Sequence, residues 1–426
     1  MIIVYNIQPN QGKLMYQFLL KIHRFLNALR NSSFPKSFKN LDPAKETILV
    51  VSHDGSRTGA PILVYNLIEG FAKKYNVIVL FLKGGPIMEV CRSIKNVEVL
   101  GPRANAKISF HRRMMIEKIY KLTRIKFALI NSIESRYVLP YIAKNHTPII
   151  SLIHEFAAYT RPPNEFKEGI LLSNKAVFSA KITRDNALSI YPSLRSIDFP
   201  IIPQGLCIVP QENQNLTNEN ENIQQLLRPT DFSEDGFVII GAGSVNYRKG
   251  VDLFIQVAAA LKKLLPETPL RFVWIGEIVE PFYERFLPDQ ISRSGLQEEF
   301  QFMDAVSDLT AVYKTADFLL LTSRLDPLPN VAIDALSMGL PMICFDKTTG
   351  IADILKANDL GKMCVANYLD VADMVQKVTA LIQNKELYTQ VSEKSAKLAA
   401  ETFNMENYIA QIDQLALGEI KNANNI

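Results

Sequence analysis

Residues 322–341 read TSRLDPLPNVAIDALSMGLP and place two acids, Asp326 and Asp334, eight positions apart. Upstream, DFLLLTS (317–323) is a short apolar run of buried-strand type. Downstream, Val331, Ile333, Ala335, Leu336 and Met338 recur at helical rather than alternating intervals. The pattern predicts a strand, a loop and a helix, with Asp326 in the loop and Asp334 on the first turns of the helix. In open α/β sheets such a loop, at the carboxyl end of a parallel strand, faces the crevice where ligands bind, and the free N–H groups of the helix start favour phosphate. Two acids beside a phosphate pocket point to a sugar nucleotide as ligand. The plain alternative is a solvated loop followed by an exposed helix acid.

A second unit of the same kind reads FVIIGAGSVNYRKGVDLFIQVAAAL (237–261): a buried strand, a glycine-bearing turn, Lys249-Gly250, and a helix with apolar residues at helical spacing. Gly241-Ala242-Gly243 lacks the third glycine of a dinucleotide fingerprint, so a tight strand-helix turn is the better reading than a nicotinamide site. In the first half, ETILVVS is followed by His53-Asp54-Gly55-Ser56-Arg57-Thr58-Gly59-Ala60-Pro61 and a helical pattern from about Ile62 to Lys74. Further on, TPIISLIHEF ends a buried strand in His154-Glu155.

Strands and helices alternate along the whole chain. Strands are expected near 47–52, 76–82, 97–100, 127–131, 148–153, 176–179 and 199–203, and then near 237–242, 270–276, 299–302, 317–322 and 341–345. This is the signature of α/β architecture with doubly wound parallel sheets. A chain of 426 residues with 48% hydrophobic content has core enough for two or three domains. The stretch 211–235 is polar, Asn/Gln-rich and without apolar periodicity until Leu226, which predicts a linker. The expected organisation is a basic amphipathic segment over 1–45, a first domain over 46–207, a linker over 208–235, a second domain over 236–405 and a last helix over 406–426.

The four cysteines, at 91, 207, 344 and 364, form no C-x-x-C pair, and the five histidines are dispersed, so neither a zinc site nor a disulfide framework is indicated. No D-x-D triplet occurs, and a metal is not implied. Residues 14–29 are too short and too charged a stretch for a bilayer span or a secretory signal, and the chain reads as cytoplasmic. Two basic clusters suit contact with an anionic membrane surface. One is KLMYQFLLKIHRFLNALR (13–30); the other runs from Arg103 to Lys126 with eight Lys/Arg against the single acid Glu117. Solvated faces of core helices are the alternative for both. Aromatics interleaved for base stacking are few, and no nucleic-acid partner is read.

Taken together, the two motifs resemble glycosyltransferase family 4, of the GT-B fold, in which two Rossmann-like domains face a central cleft. Its donor site carries two acids separated by seven residues ahead of a small-residue helix ending in G-x-P, matched here by Asp326, Asp334 and Met338-Gly339-Leu340-Pro341. Its G-x-x-x-x-x-K-G segment is matched by Gly243 to Gly250. The resemblance implies a retaining transferase that moves a sugar from a nucleoside-diphosphate sugar to a hydroxyl of a glycan or lipid-linked acceptor, in cell-surface polysaccharide biosynthesis, without a cofactor. It assigns Asp326 to the transferred sugar, Asp334 to the ribose, Lys249 to the diphosphate and His154 to the reacting sugar. It adds Gly59, Gly243, Ser244, Arg248, Leu328, Asn330 and Val331 to the donor contacts, and places His53 and Arg57 on the acceptor side.

This chain departs from the family pattern at several positions. Both acids are usually Glu. The family's arginine after the first glycine is Ser244: either Arg248 or Arg324 replaces it, or the enzyme is slow, or this copy is not catalytic. Its glycine three residues after the first acid is Pro329, which has no N–H to give, so phosphate contact falls to the amides of Asn330 and Val331. A sugar-nucleotide epimerase and a non-catalytic partner subunit of the same fold are the competing readings.

Overall fold

The computed structural model describes residues 37–102, 112–210, 216–306 and 308–424. The basic segment 13–30 and residues 103–111 of the second basic cluster lie outside the described residues. Two compact units are present. One gathers the described residues through Ser151 with Glu168–Lys175 and the chain from Leu415, and the other takes Leu152–Lys167 and Ala176–Gln414.

The first sheet is built from β1 (Thr47–Ser52), β2 (Asn76–Phe81), β3 (Val97–Leu100), β4 (Ile125–Asn131), β5 (Ile149–Ile153) and β6 (Lys175–Phe178), in the order β3-β2-β1-β4-β5-β6. The second comprises β7 (Phe237–Ala242), β8 (Leu270–Ile275), β9 (Phe300–Met303), β10 (Phe318–Leu321), β11 (Met342–Phe345) and β12 (Val365–Ala366), in the order β12-β11-β10-β7-β8-β9. Strands β1, β2 and β10 are buried along their whole length. Helices cover both faces of such sheets, which is why TILVVS and NVIVLF are continuous apolar runs with no alternation. The strand order reverses where β1 meets β4 and where β7 meets β10, and the ladders at both places are parallel. These reversals open the crevices in which doubly wound sheets hold ligands.

Two expected elements differ. Residues 199–203 form no strand; only a single bridge joins Ile201 to Phe178. Pro200 and Pro203 flank the apolar pair and cannot donate to a ladder. Within the polar stretch 211–235, Leu216–Leu227 is a helix, and its Ile223 and Leu227 are buried in the core of the second sheet. Leu226 packs on the same core, so the helical spacing of Ile223, Leu226 and Leu227 appears only at the end of a polar stretch, too short a run to mark the helix.

The second core is centred on Phe254, on the helix Val251–Leu264 that follows the Lys249-Gly250 turn. Its ring packs edge-on against Phe272, Trp274 and Phe300, with centroids 6.3, 5.5 and 5.8 Å away, so this helix is seated directly on β8 and β9. Phe254→Ala should cost about 3–5 kcal/mol of stability. Trp274 is the sole tryptophan and lies in β8, so denaturant unfolding followed by its fluorescence reads the loss in this sheet alone.

Candidate functional site

Strands β7 and β10 are neighbours, and the two sequence motifs leave their carboxyl ends side by side. After β7 the chain turns at Gly243 and makes a short 3₁₀ turn over Tyr247–Lys249, capped by the Asn246 side chain, which accepts from the Lys249 N–H at 3.1 Å. Gly250 then takes a left-handed conformation, φ +69°, and caps the helix Val251–Leu264. A Cβ at Gly250 would stand 2.1 Å from the Thr322 carbonyl oxygen at the end of β10. The Thr322 hydroxyl donates to the Gly250 carbonyl at 2.9 Å. Only glycine allows this approach. It lays the Lys249 turn against the loop that carries Asp326.

There Lys249 Nζ lies 2.5 Å from Asp326 Oδ2, and Arg248 Nη1 lies 3.1 Å from Asp326 Oδ1. The Ser323 hydroxyl adds a longer bond to Oδ2 at 3.3 Å, and the Asp326 N–H donates to the Thr348 carbonyl at 2.8 Å. Gly243 also belongs to this arrangement. At φ +135° it leaves the space along which the Lys249 side chain runs, where a Cβ would be 3.0 Å from Lys249 Cε. Asp326 is 4% exposed. Burial by itself raises such a carboxyl, but Lys249 and Arg248 outweigh it and hold Asp326 below the usual carboxylate range.

Of the two arginines proposed to stand in for Ser244, the geometry distinguishes one. Arg324 is engaged twice by Asp252, at 2.8 and 2.7 Å, donates to the Tyr247 carbonyl at 2.9 Å and stacks 4.2 Å over the Tyr247 ring. Its guanidinium serves as a brace between the two loops. The Arg248 side chain is 47% exposed and, among the described residues, is bound only to Asp326 and the Leu325 carbonyl, so it is the arginine still able to meet a ligand. Ser244 itself is exposed on the turn.

The helix Asn330–Ser337 opens after Pro329, which takes the cap position itself. The Asn330 and Val331 amides meet no acceptor among the described residues and remain open to an anion. The Asn330 side chain accepts a hydrogen bond from Gln204. Leu328, expected among the donor contacts, has its side chain in the core of the second unit. Asp334 lies one turn into the helix, partly covered, with no donor for its carboxylate among the described residues. Burial, then the charge of Asp308, pushes it up to about 7.

His154 follows β5, half-buried, with its N–H donating to Glu155 Oε2 at 3.1 Å. The remaining predicted residues belong to the first unit. Gly59 opens the helix Gly59–Ala72, three residues before the expected start, behind Thr58 as cap. The preceding loop is folded on Asp54, which accepts from the Ser56 N–H at 3.1 Å and its hydroxyl at 2.9 Å, with His53 Nε2 at 3.7 Å. Arg57 is half-buried in the same loop. Sequence reasoning missed Thr322, Ser323, Asp252 and Gln204. The first two adjoin the motif and were within its reach; Gln204 lies 126 residues from its partner and left no signal.

Residues 222–398 match the family model for glycosyl transferases group 1. The fold is GT-B, and the chain is related to sugar-transferring enzymes. A glycosyltransferase of Haemophilus influenzae whose role is uncharacterised is 28% identical over 173 residues, 41% of this chain and 47% of its own length. Mannosylfructose-phosphate synthase of Agrobacterium fabrum is 26% identical over 201 residues, 46% and 43% of the two chains. The chain thus spans about half the length of these curated relatives. Among solved structures, HepE of Anabaena in complex with UDP and glucose superposes with a TM-score of 0.69 at 14% identity, covering 88% of this chain and all of that one.

The upward shift of the Asp334 carboxyl sets a pH dependence. An unfolded carboxyl releases its proton near 4, whereas the folded one keeps it to about 7. Between those values the native state binds more protons, so stability falls as pH rises, and the loss is complete above about 7. Asp334→Asn should therefore raise the thermal midpoint of the ligand-free protein at pH 8 and change it little at pH 4. The ceiling on the difference is about 1.4 kcal/mol per pH unit of the interval, and thermal scans across pH 4–8 measure it.

Proposed function

We propose that this chain is a retaining glycosyltransferase of family 4 type, which transfers a sugar from a nucleoside-diphosphate donor to a hydroxyl of a glycan or lipid-linked acceptor. The observation that carries the reading is the pairing of Lys249 and Arg248 with Asp326 on the loops that follow β7 and β10, with the helix that carries Asp334 and opens on the unpaired amides of Asn330 and Val331 following directly from the Asp326 loop. A diphosphate needs the cations and the amides; a sugar and a ribose need the acids. The complex of HepE with UDP and glucose, on the same fold, supports a nucleotide sugar as donor.

The chemistry follows from the groups present. The bond from the anomeric carbon to the diphosphate oxygen breaks, with its electron pair passing to that oxygen. Lys249, Arg248 and the amides of Asn330 and Val331 meet the charge that develops there. The acceptor oxygen attacks on the same face and gives its proton to the departing phosphate oxygen, so the configuration is retained without a side-chain nucleophile. Asp326 orients the sugar hydroxyls, Asp334 accepts from the ribose, and His154 donates to the reacting sugar.

Mass-spectrometric screening of nucleotide sugars against the purified protein, with and without acceptor, tests the reading; donor turnover that never needs an acceptor would favour an epimerase. Asp334→Ala should weaken the sugar nucleotide and the free nucleotide alike in calorimetry, because the ribose is common to both. Asp326→Ala should cost affinity only where the sugar is attached. Lys249→Ala should cut turnover at least about tenfold, the effect of roughly 1.4 kcal/mol in the transition state, and Arg248→Ala should cost a comparable factor. A fully active Arg248→Ala would leave the position of Ser244 without a substitute.

A lipid-linked acceptor would bring the enzyme to a membrane. Among the described residues no helix is long and apolar enough to cross one. The helix Arg112–Leu122 buries Met115, Ile116 and Ile119, while Met114 is 52% exposed beside Arg113, and Lys121 and Arg124 face outward. Such a face suits anionic headgroups, at about 1 kcal/mol per cation. Binding to vesicles should rise with anionic lipid content, fall as salt is raised, and drop for the combined Arg113→Gln, Lys118→Gln and Lys121→Gln variant without change in nucleotide affinity. Negligible co-sedimentation at low salt would instead point to a soluble acceptor.

A further inference from the structure

We propose that Asp326 makes the donor site discriminate against the free nucleoside diphosphate left after transfer, because the cations needed by the diphosphate are the ones that neutralise this buried carboxylate. The inference rests on the donor-site reading above and concerns the regulation of that same site.

Each oxygen of Asp326 is committed to one cation, Oδ1 to Arg248 at 3.1 Å and Oδ2 to Lys249 at 2.5 Å. Beyond these, among the described residues, only the Ser323 hydroxyl reaches its side chain, at 3.3 Å. Lys249 has no other acceptor for its ammonium among them, and its side chain is 12% exposed. A diphosphate that engages Lys249 and Arg248 therefore draws both away from a carboxylate with almost no access to water. Leaving one partner of a buried ion pair without the other is strongly unfavourable, more so than the pair itself is favourable. The free nucleotide bears that penalty in full.

A sugar nucleotide does not. Its hydroxyls arrive with the diphosphate and donate to the oxygens of Asp326 as the cations turn away, so the carboxylate exchanges two charged partners for two neutral donors and stays satisfied. The three groups then form a relay. Without ligand, the cations hold the acid. With donor, the diphosphate holds the cations and the sugar holds the acid. After transfer the sugar has gone, Asp326 is again unpaired, and its recovery of Lys249 and Arg248 favours release of the nucleoside diphosphate.

The consequence has a sign that a structural role for Asp326 would not produce: removing the negative charge should tighten the free nucleotide. Calorimetry with UDP, GDP and ADP and their glucose conjugates, on the wild-type protein and on Asp326→Asn, reads it. For the nucleotide that binds, the wild type should prefer the conjugate by at least about tenfold. Asp326→Asn should bind the free diphosphate about tenfold more tightly than the wild type does and lose most of the preference. If the variant does not fold, as judged by circular dichroism, the wild type alone decides. Its affinity for the free diphosphate should then rise severalfold in concentrated methyl glucoside, whose hydroxyls can satisfy Asp326. Free diphosphate that binds the wild type as tightly as the conjugate, or that binds Asp326→Asn no better than the wild type, overturns the exchange while leaving the donor site intact. If no nucleotide or conjugate binds either protein at millimolar concentration, the donor-site reading itself fails.

Discussion

The contact on which the site depends is the close approach of Gly250 to the end of β10. Strands β7 and β10 are adjacent only because the sheet reverses its order there, and adjacency alone leaves their following loops free to diverge. The left-handed turn at Gly250 and its exchange with Thr322 prevent this, since no side chain fits in the 2.1 Å between a Cβ and the Thr322 carbonyl. Arg324 closes the same two loops from outside through Asp252 and Tyr247. Two independent braces thus hold residues 249 and 326 at hydrogen-bond distance although 77 positions separate them.

That rigidity matters for electrostatics more than for stability. A buried acid between two cations leaves one positive charge in excess, and the Asn330 and Val331 amides meet no acceptor among the described residues. Lys249 and Arg248 are held in place but not free, so an anion that takes them competes with the buried carboxylate of Asp326, and the bracing fixes the partners between which that exchange runs. Asp334 lies one turn into the helix that those amides open. Its carboxyl is pushed up to about 7 by burial and then by the charge of Asp308, so near neutral pH it carries less negative charge than an exposed acid would.

Much of this was legible in the sequence for a reason particular to the fold. Buried parallel strands are continuous apolar runs, so FVIIGA and FLLL announce themselves, and residues at their carboxyl ends inherit a location from the topology. Asp326, Asp334 and Lys249 needed only that inheritance. What sequence could not show is which neighbours saturate one another. Arg248 and Arg324 are equivalent as letters; only the bidentate pairing of Arg324 with Asp252 removes it from consideration. Leu328 sits amid donor-loop residues in sequence and turns into the core, because a loop of that length must anchor itself somewhere. The apolar pair Ile201-Ile202 resembles a strand until its flanking prolines are weighed as missing donors.

Two of the departures from the family pattern, Pro329 and Ser244, acquire a physical sense from the same geometry. A proline at the cap of a helix removes an N–H that the helix does not use, whereas the amides facing outward belong to the next residues, Asn330 and Val331. Pro329 therefore stiffens the loop between Asp326 and the helix without subtracting a donor from the anion site. Ser244 brings no cation to the β7 turn, but Arg248, later in the same turn, meets the same carboxylate as Lys249. Moving the second cation from before the 3₁₀ turn to within it keeps the charge and changes its partner. In this chain the guanidinium is bonded to Asp326, so the second cation and the acid are coupled to each other.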